Sequence, residues 1–198
     1  MTLRYDTRSR VSTYTQSWVS NADPDFGAFE SIATTVVGAG GAGSITFSSI
    51  PAGYKHLQLR FIARTDASGA VFDTVGMRFN GDSAANYSYH VFGGDGASAF
   101  AGGYPSDSII QLNWCAMGAS TAANIFGIGV VDILDYADTN KHKTVRALNG
   151  HDRNGAGILY VTSGNWRSTS AITSISLDQY TGPNYVQYSH FALYGIKA

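Results

Sequence analysis

Glutamate is almost missing from this chain: Glu30 is the only one in 198 residues, alongside four lysines, four prolines and a single cysteine. Glu and Lys stock the solvent-facing positions of helices, because their straight side chains lose little rotamer freedom there. Their scarcity argues against exposed helices. Charged residues make up only 14% of the chain, against roughly 25% in an average domain. The formal net charge of −1 supplies no basic field, so nucleic acid is not an expected partner. Cys115 stands alone, which excludes an intramolecular disulfide and any multi-cysteine zinc site. Its place in the apolar run Ile109 to Met117 reads as a buried, inert thiol. No uncharged apolar run approaches the ~20 residues that span a bilayer, so membrane insertion is not expected. Met1 to Ser20 is polar and has no apolar h-region, which predicts synthesis without a secretory signal.

What is present is β-forming. There are 23 glycines, with many short alternating apolar segments. Leu57, Leu59, Phe61 and Ala63 share one face of Lys55 to Thr65, while His56, Gln58, Arg60 and Arg64 take the other, the mark of a half-buried strand. Similar segments are Phe29 to Val37, Ser44 to Ile50, Val75 to Phe79, Tyr87 to Phe92, Ser108 to Met117, Ile125 to Tyr136, His142 to Asn149, Ile158 to Thr162, Ile172 to Asp178 and Tyr185 to Ile196. Asn80-Gly81 is a hairpin signal. Ile125 to Leu134 is apolar on both faces and is expected to lie centrally, covered on each side. Ten or eleven strands with short turns predict an all-β, two-sheet sandwich of jelly-roll-like form over residues 28–198. Edge strands in such a fold are protected by partners, and a homo-oligomer, favoured as a trimer, meets that need. Residues 1–27 have neither a helical nor a two-residue apolar period. They read as an extended arm whose anchors Arg4, Tyr5, Arg8, Arg10, Tyr14 and Trp18 dock on a partner surface or fold back over the sandwich.

Sites of recognisable chemistry are few. Gly38 to Gly43 is followed by the strand pattern Ser44-Ile45-Thr46-Phe47 rather than a helix, so it is a turn and not a phosphate cradle. The five histidines lack ligand spacing, so no transition-metal site and no cofactor is expected, and calcium held by loop aspartates is a weaker alternative without EF-hand spacing. Many aspartates flank turns, where they cap their own backbone, and the sequence does not pair two of them for glycoside cleavage. Asn149-Gly150-His151-Asp152-Arg153-Asn154-Gly155 reads as a polar binding loop or as a long hairpin turn. Asn165-Trp166-Arg167 sets an aromatic beside amides, a pattern that can stack and hydrogen-bond a sugar ring or cover a sheet edge. Asn149, His151, Asp152, Arg153, Asn165 and Trp166 are therefore the candidate glycan-binding loop residues.

Several stretches occur in a familiar order. Phe29-x-Ser31-Ile32-Ala33 leads into Ile45-x-Phe47-x-x-Ile50-Pro51-x-x-Tyr54-Lys55-His56-Leu57-Gln58-Leu59-Arg60. Arg78-Phe79-Asn80-Gly81-Asp82, Asn86-Tyr87-Ser88 and Ser189-x-Phe191-x-Leu193-Tyr194-Gly195-Ile196 follow. Residues 28–198 thereby resemble a group of tailed-bacteriophage virion structural proteins, of the tail, fibre or decoration type. The resemblance implies a virion component assembled in the host cytoplasm, with other virion proteins of capsid or tail as partners. It implies no catalytic or ligand residue. A tail-fibre or tail-tip appendage binding host-surface glycan, a capsid decoration protein, and a glycan-degrading enzyme are the readings to be separated, in that order.

Overall fold

A computed structural model describes residues 29–181 and 184–197. The arm positions Arg4, Tyr5, Arg8, Arg10, Tyr14 and Trp18 lie outside the described residues. Those residues contain twelve strands and no helix. In chain order they are β1 (Phe29–Val36), β2 (Ser44–Phe47), β3 (His56–Ala63), β4 (Phe72–Phe79), β5 (Tyr87–Gly94), β6 (Ala99–Asp107), β7 (Ile110–Met117), β8 (Gly127–Leu134), β9 (Lys143–Asp152), β10 (Gly157–Trp166), β11 (Ile175–Gln179) and β12 (His190–Ile196). The large sheet runs β1-β12-β3-β8-β9-β10-β5-β6 and the small one β2-β11-β4-β7. Named strands pair antiparallel throughout, and the chain crosses repeatedly between the two layers. The expected two-sheet sandwich is the fold.

The core is filled by the alternating faces that the sequence displays. Leu57, Leu59, Val131, Ile133 and Val145 point inward from the large sheet, and Val75, Met77, Phe79, Leu112 and Leu177 meet them from the small one. Phe191 and Leu193, named above in the closing motif, are equally buried. The single glutamate lies at the edge: Glu30 accepts from Tyr54 Oη at 3.0 Å and pairs with Lys197. Gly195 does not bend the strand. It is a paired position in β12, and a Cβ there would come within 2.3–2.5 Å of the Tyr54 ring, so the close approach of that ring demands glycine.

Three expectations are corrected. β6 has no counterpart among the predicted strands, because Gly102, Gly103 and Pro105 hide it; it is an edge strand, where a proline's missing N–H goes unused. Asn80 and Gly81 do adopt the positive φ angles of a type I′ turn, 53° and 68°. The turn closes no hairpin, since β4 pairs with β11 and β7 while β5 belongs to the other sheet. Asn80 is instead tied to the preceding loop of β11, its Oδ1 accepting from the Thr173 and Ser174 amides. β8 is central as predicted, but only its inner face is covered: outward-facing Ile128 is 56% exposed.

Candidate functional site

The most unusual backbone among the strands is in β7. Its ladder with β4 pairs Phe72 with Met117 and Asp73 with Ala116, then resumes only at Val75 and Leu112. Asn113, Trp114 and Cys115 thus face Thr74 alone, forming a bulge that places Trp114 at φ 48°. Bulky residues seldom occupy that left-handed region, and such strain gathers at functional sites. The bulge withdraws two carbonyls from the ladder, and β9 supplies their donors from below. Asn149 Nδ2 donates to the Asn113 carbonyl at 2.9 Å, and His151 Nδ1 meets the Trp114 carbonyl at 2.7 Å. A carbonyl oxygen only accepts, so Nδ1 carries the proton. Burial holds the His151 pKa below its ordinary value, so the ring is neutral at pH 7. The Thr74 hydroxyl accepts the Trp114 amide at 3.3 Å.

This framework turns the Trp114 indole toward solvent, 38% exposed, with Phe72 packed against it at 4.6 Å. Tyr160 meets the indole edge-on at 5.8 Å, and Phe100 packs on Tyr160 at 5.0 Å. Tyr104 is 42% exposed and stacks on buried Tyr89 at 4.6 Å. Phe72, Phe100, Tyr104, Trp114 and Tyr160, with exposed Tyr180, line an open cleft of about 640 Å³ between β6 and β7, the adjoining edges of the two sheets. The polar lining is Thr74, Gln111, Asn113, Thr181 and Asp73. Asp73 is buried and already engaged: it accepts from the Thr74 amide at 2.8 Å, the Thr181 amide at 2.9 Å and the Thr65 hydroxyl at 3.1 Å. The remaining polar lining consists of amides and hydroxyls. Burial pushes the Tyr160 phenol up to about 12 and Tyr89 well above its ordinary value, so both stay protonated at neutral pH. A cleft of stacked rings rimmed by neutral amides and hydroxyls suits a neutral, hydroxyl-rich ring with an apolar face.

The sequence-predicted residues take other places. Asn149 and His151 are buried strand residues behind the bulge rather than displayed loop groups. Asp152 ends β9 and caps the Asn154 amide at 2.7 Å. Arg153 begins a tight turn, its amide bonded to the Ala156 carbonyl at 2.7 Å, so the long binding loop reduces to residues 153–156. Asn165 and Trp166 belong to β10. Trp166 is 3% exposed, stacked on Tyr87, and donates Nε1–H to Asp82 at 2.7 Å. Its indole secures the core and offers no face to a ligand. The structure brings Asn149 and His151 together as the supports of Trp114. The cleft rings are hidden in the sequence because Asn113-Trp114-Cys115 sits inside an apolar run that reads as plain strand. Gln111 and Asn113, polar two residues apart in that run, were its available signal.

No family model matches the chain, and no curated protein matches it. Among solved structures it is similar to alginate lyase vAL-1 from a Chlorella virus, at 9% identity and TM-score 0.31, covering 83% of each chain. It is also similar to the binding domain of botulinum neurotoxin DC in complex with SialylT, at 11% identity and TM-score 0.30, covering 85% of this chain and 42% of that one. The CBM2 module of the evolved Dit of Lactobacillus casei BL23 phage J-1 follows, at 10% identity and TM-score 0.23, covering 78% and 69%. At these TM-scores it is the cleft's own geometry that bears on function.

Proposed function

We propose that this chain is a non-enzymatic bacteriophage virion surface protein of the tail-fibre or tail-tip kind, docked by its N-terminal arm, and that its aromatic cleft binds neutral host-surface glycan. One observation carries the binding reading: the strained, outward-turned Trp114, fixed by two buried donors beside exposed Tyr104 and Tyr180. Rigid rings at low entropic cost are how sugars are held. Support for binding over cleavage comes from Asp73, the one carboxylate among the described residues lining the cleft, whose oxygens are taken up by three donors. Glycoside cleavage ordinarily needs two carboxylates across the scissile bond. Support for the virion setting comes from the ordered motifs of residues 29–196.

Titration of neutral oligosaccharides from the host surface, by calorimetry or on a glycan array at high avidity, tests the binding. Trp114→Ala is expected to abolish it while Trp166→Phe retains it. No binding to the intact chain, or equal binding by Trp114→Ala, overturns the reading. Capsid decoration is the second reading, motivated by Arg4, Arg8 and Arg10, which could pair with an acidic capsid surface. Deleting residues 1–20 and testing rebinding to stripped particles separates the two: retention on heads favours decoration, loss from tails favours the appendage.

A further inference from the structure

The outer face of the large sheet is a second built surface, independent of what the cleft binds. Phe92, Val161, Leu148 and Val130 are directly paired across β5, β10, β9 and β8, and form one outward apolar row. Two residues along, Leu159, Gly150, Ile128 and Ile62 form a second row across β10, β9, β8 and β3. The seven side chains are exposed by between 38% and 62%. Together they present on the order of 650 Å² of surface, at the upper end of the ~300–600 Å² of the largest patch on a typical monomer, which is often a functional one. Neither row contains a charge. Charge begins at the border, with Arg60 beside Val130 and the paired Arg146 and Asp132.

The face also carries both halves of a fit. Phe92 is the most exposed of these side chains, at 62%. Two strands away, Gly150 leaves an open depression of about 720 Å³, walled by Ile128, Leu148 and Leu159, with Asp95 and Asp152 also in its lining. The depression cannot be filled by mutation in place, because a Cβ on Gly150 would lie 2.1 Å from the Ile158 carbonyl oxygen.

We infer that this face packs against the same face of a second copy of the chain, about a two-fold axis. An isologous contact needs a self-complementary patch, and here knob and hole share one surface. An axis lying in the interface over β10 sets Phe92 of each copy on the Gly150 depression of the other. β-Sheets pack face to face at about 10 Å, which suits two uncharged rows bordered by charge. The area approaches the ~800 Å² per partner of a standard interface. The leading residues 1–28 fit this surface worse. They lack the alternating apolar period that would match the rows, and they bring Arg4, Arg8 and Arg10 toward it.

Sedimentation velocity of the full chain, over a concentration series, tests the inference. The expected species is a dimer. Leu148→Lys with Leu159→Lys is expected to weaken self-association by about a hundredfold or more, as loss of central anchors does, with the thermal unfolding profile unchanged. Phe92→Lys alone gives the same answer should the double variant unfold. A monomer throughout, a trimer, or a dimer indifferent to Phe92→Lys overturns the inference.

Discussion

Replacing His151 with phenylalanine separates the supporting role of that residue from its packing. The substitution keeps a ring against Phe72, from which the imidazole centroid now lies 5.6 Å, but removes the donor to the Trp114 carbonyl. That carbonyl has already left the β-ladder, so it becomes a buried acceptor without a partner. Such a loss costs about 1–3 kcal/mol, and urea unfolding at pH 7.5 should register it. A second effect appears on acidification. Burial lowers the folded pKa of His151, while the unfolded chain titrates near ~6.5. Below that pH the unfolded state takes a proton that the folded state refuses. Wild-type stability therefore falls as pH drops from ~6.5 toward the folded pKa, by at most about 1.4 kcal/mol per pH unit from this group. Above ~6.5 this contribution is fully present. The Phe variant lacks the group, so the gap between the two proteins should narrow through that window. A gap that stays constant from pH 7.5 to 5, or no gap at pH 7.5, refutes the assignment of His151 as a neutral donor beneath the bulge.

Lys143 is fully buried and donates its ammonium protons to the carbonyls of Asp138, Lys141 and Thr169. Lys143→Met should cost about 3 kcal/mol or more by stranding these acceptors, measured by chemical denaturation; a loss under 1 kcal/mol contradicts the role. Gly195→Ala drives a methyl into the Tyr54 ring and should destabilise by about 1–3 kcal/mol, whereas Gly195→Ala combined with Tyr54→Ala should recover part of that loss. Cys115 is buried, and burial pushes its thiol up to about 12, so Ellman's reagent should leave the native protein unlabelled until denaturant is added.

Much of the fold is legible from alternation. His56 to Ala63 shows its inward and outward faces residue by residue, whereas Gly127 to Leu134 is apolar on both faces and hides which one is covered. Where periodicity is broken, the sequence misleads. β6 hides behind Gly102, Gly103 and Pro105, residues that a sheet edge tolerates and a single-strand reading rejects. Asn80-Gly81 specifies local backbone sign but not the partner strand, which long-range packing decides. The cleft was illegible for a related reason. It joins Phe72, Phe100, Tyr104, Trp114 and Tyr180 from separate parts of the chain, and the bulge that turns Trp114 outward leaves no compositional trace. Polarity in Asn149 and His151 did signal something real, but its purpose is to satisfy a distorted neighbour rather than to greet a ligand. Trp166 shows the opposite error, an aromatic among amides that serves the interior.

The oxygen cage around Lys143 resembles what many surface loops build around calcium, with backbone carbonyls converging on one cation. Here the cation is covalently part of β9. It cannot be chelated, diluted away or exchanged, so the loop between β8 and β9 keeps its shape whatever the ionic composition outside. A protein exposed to variable ionic conditions gains a clasp that needs no supply.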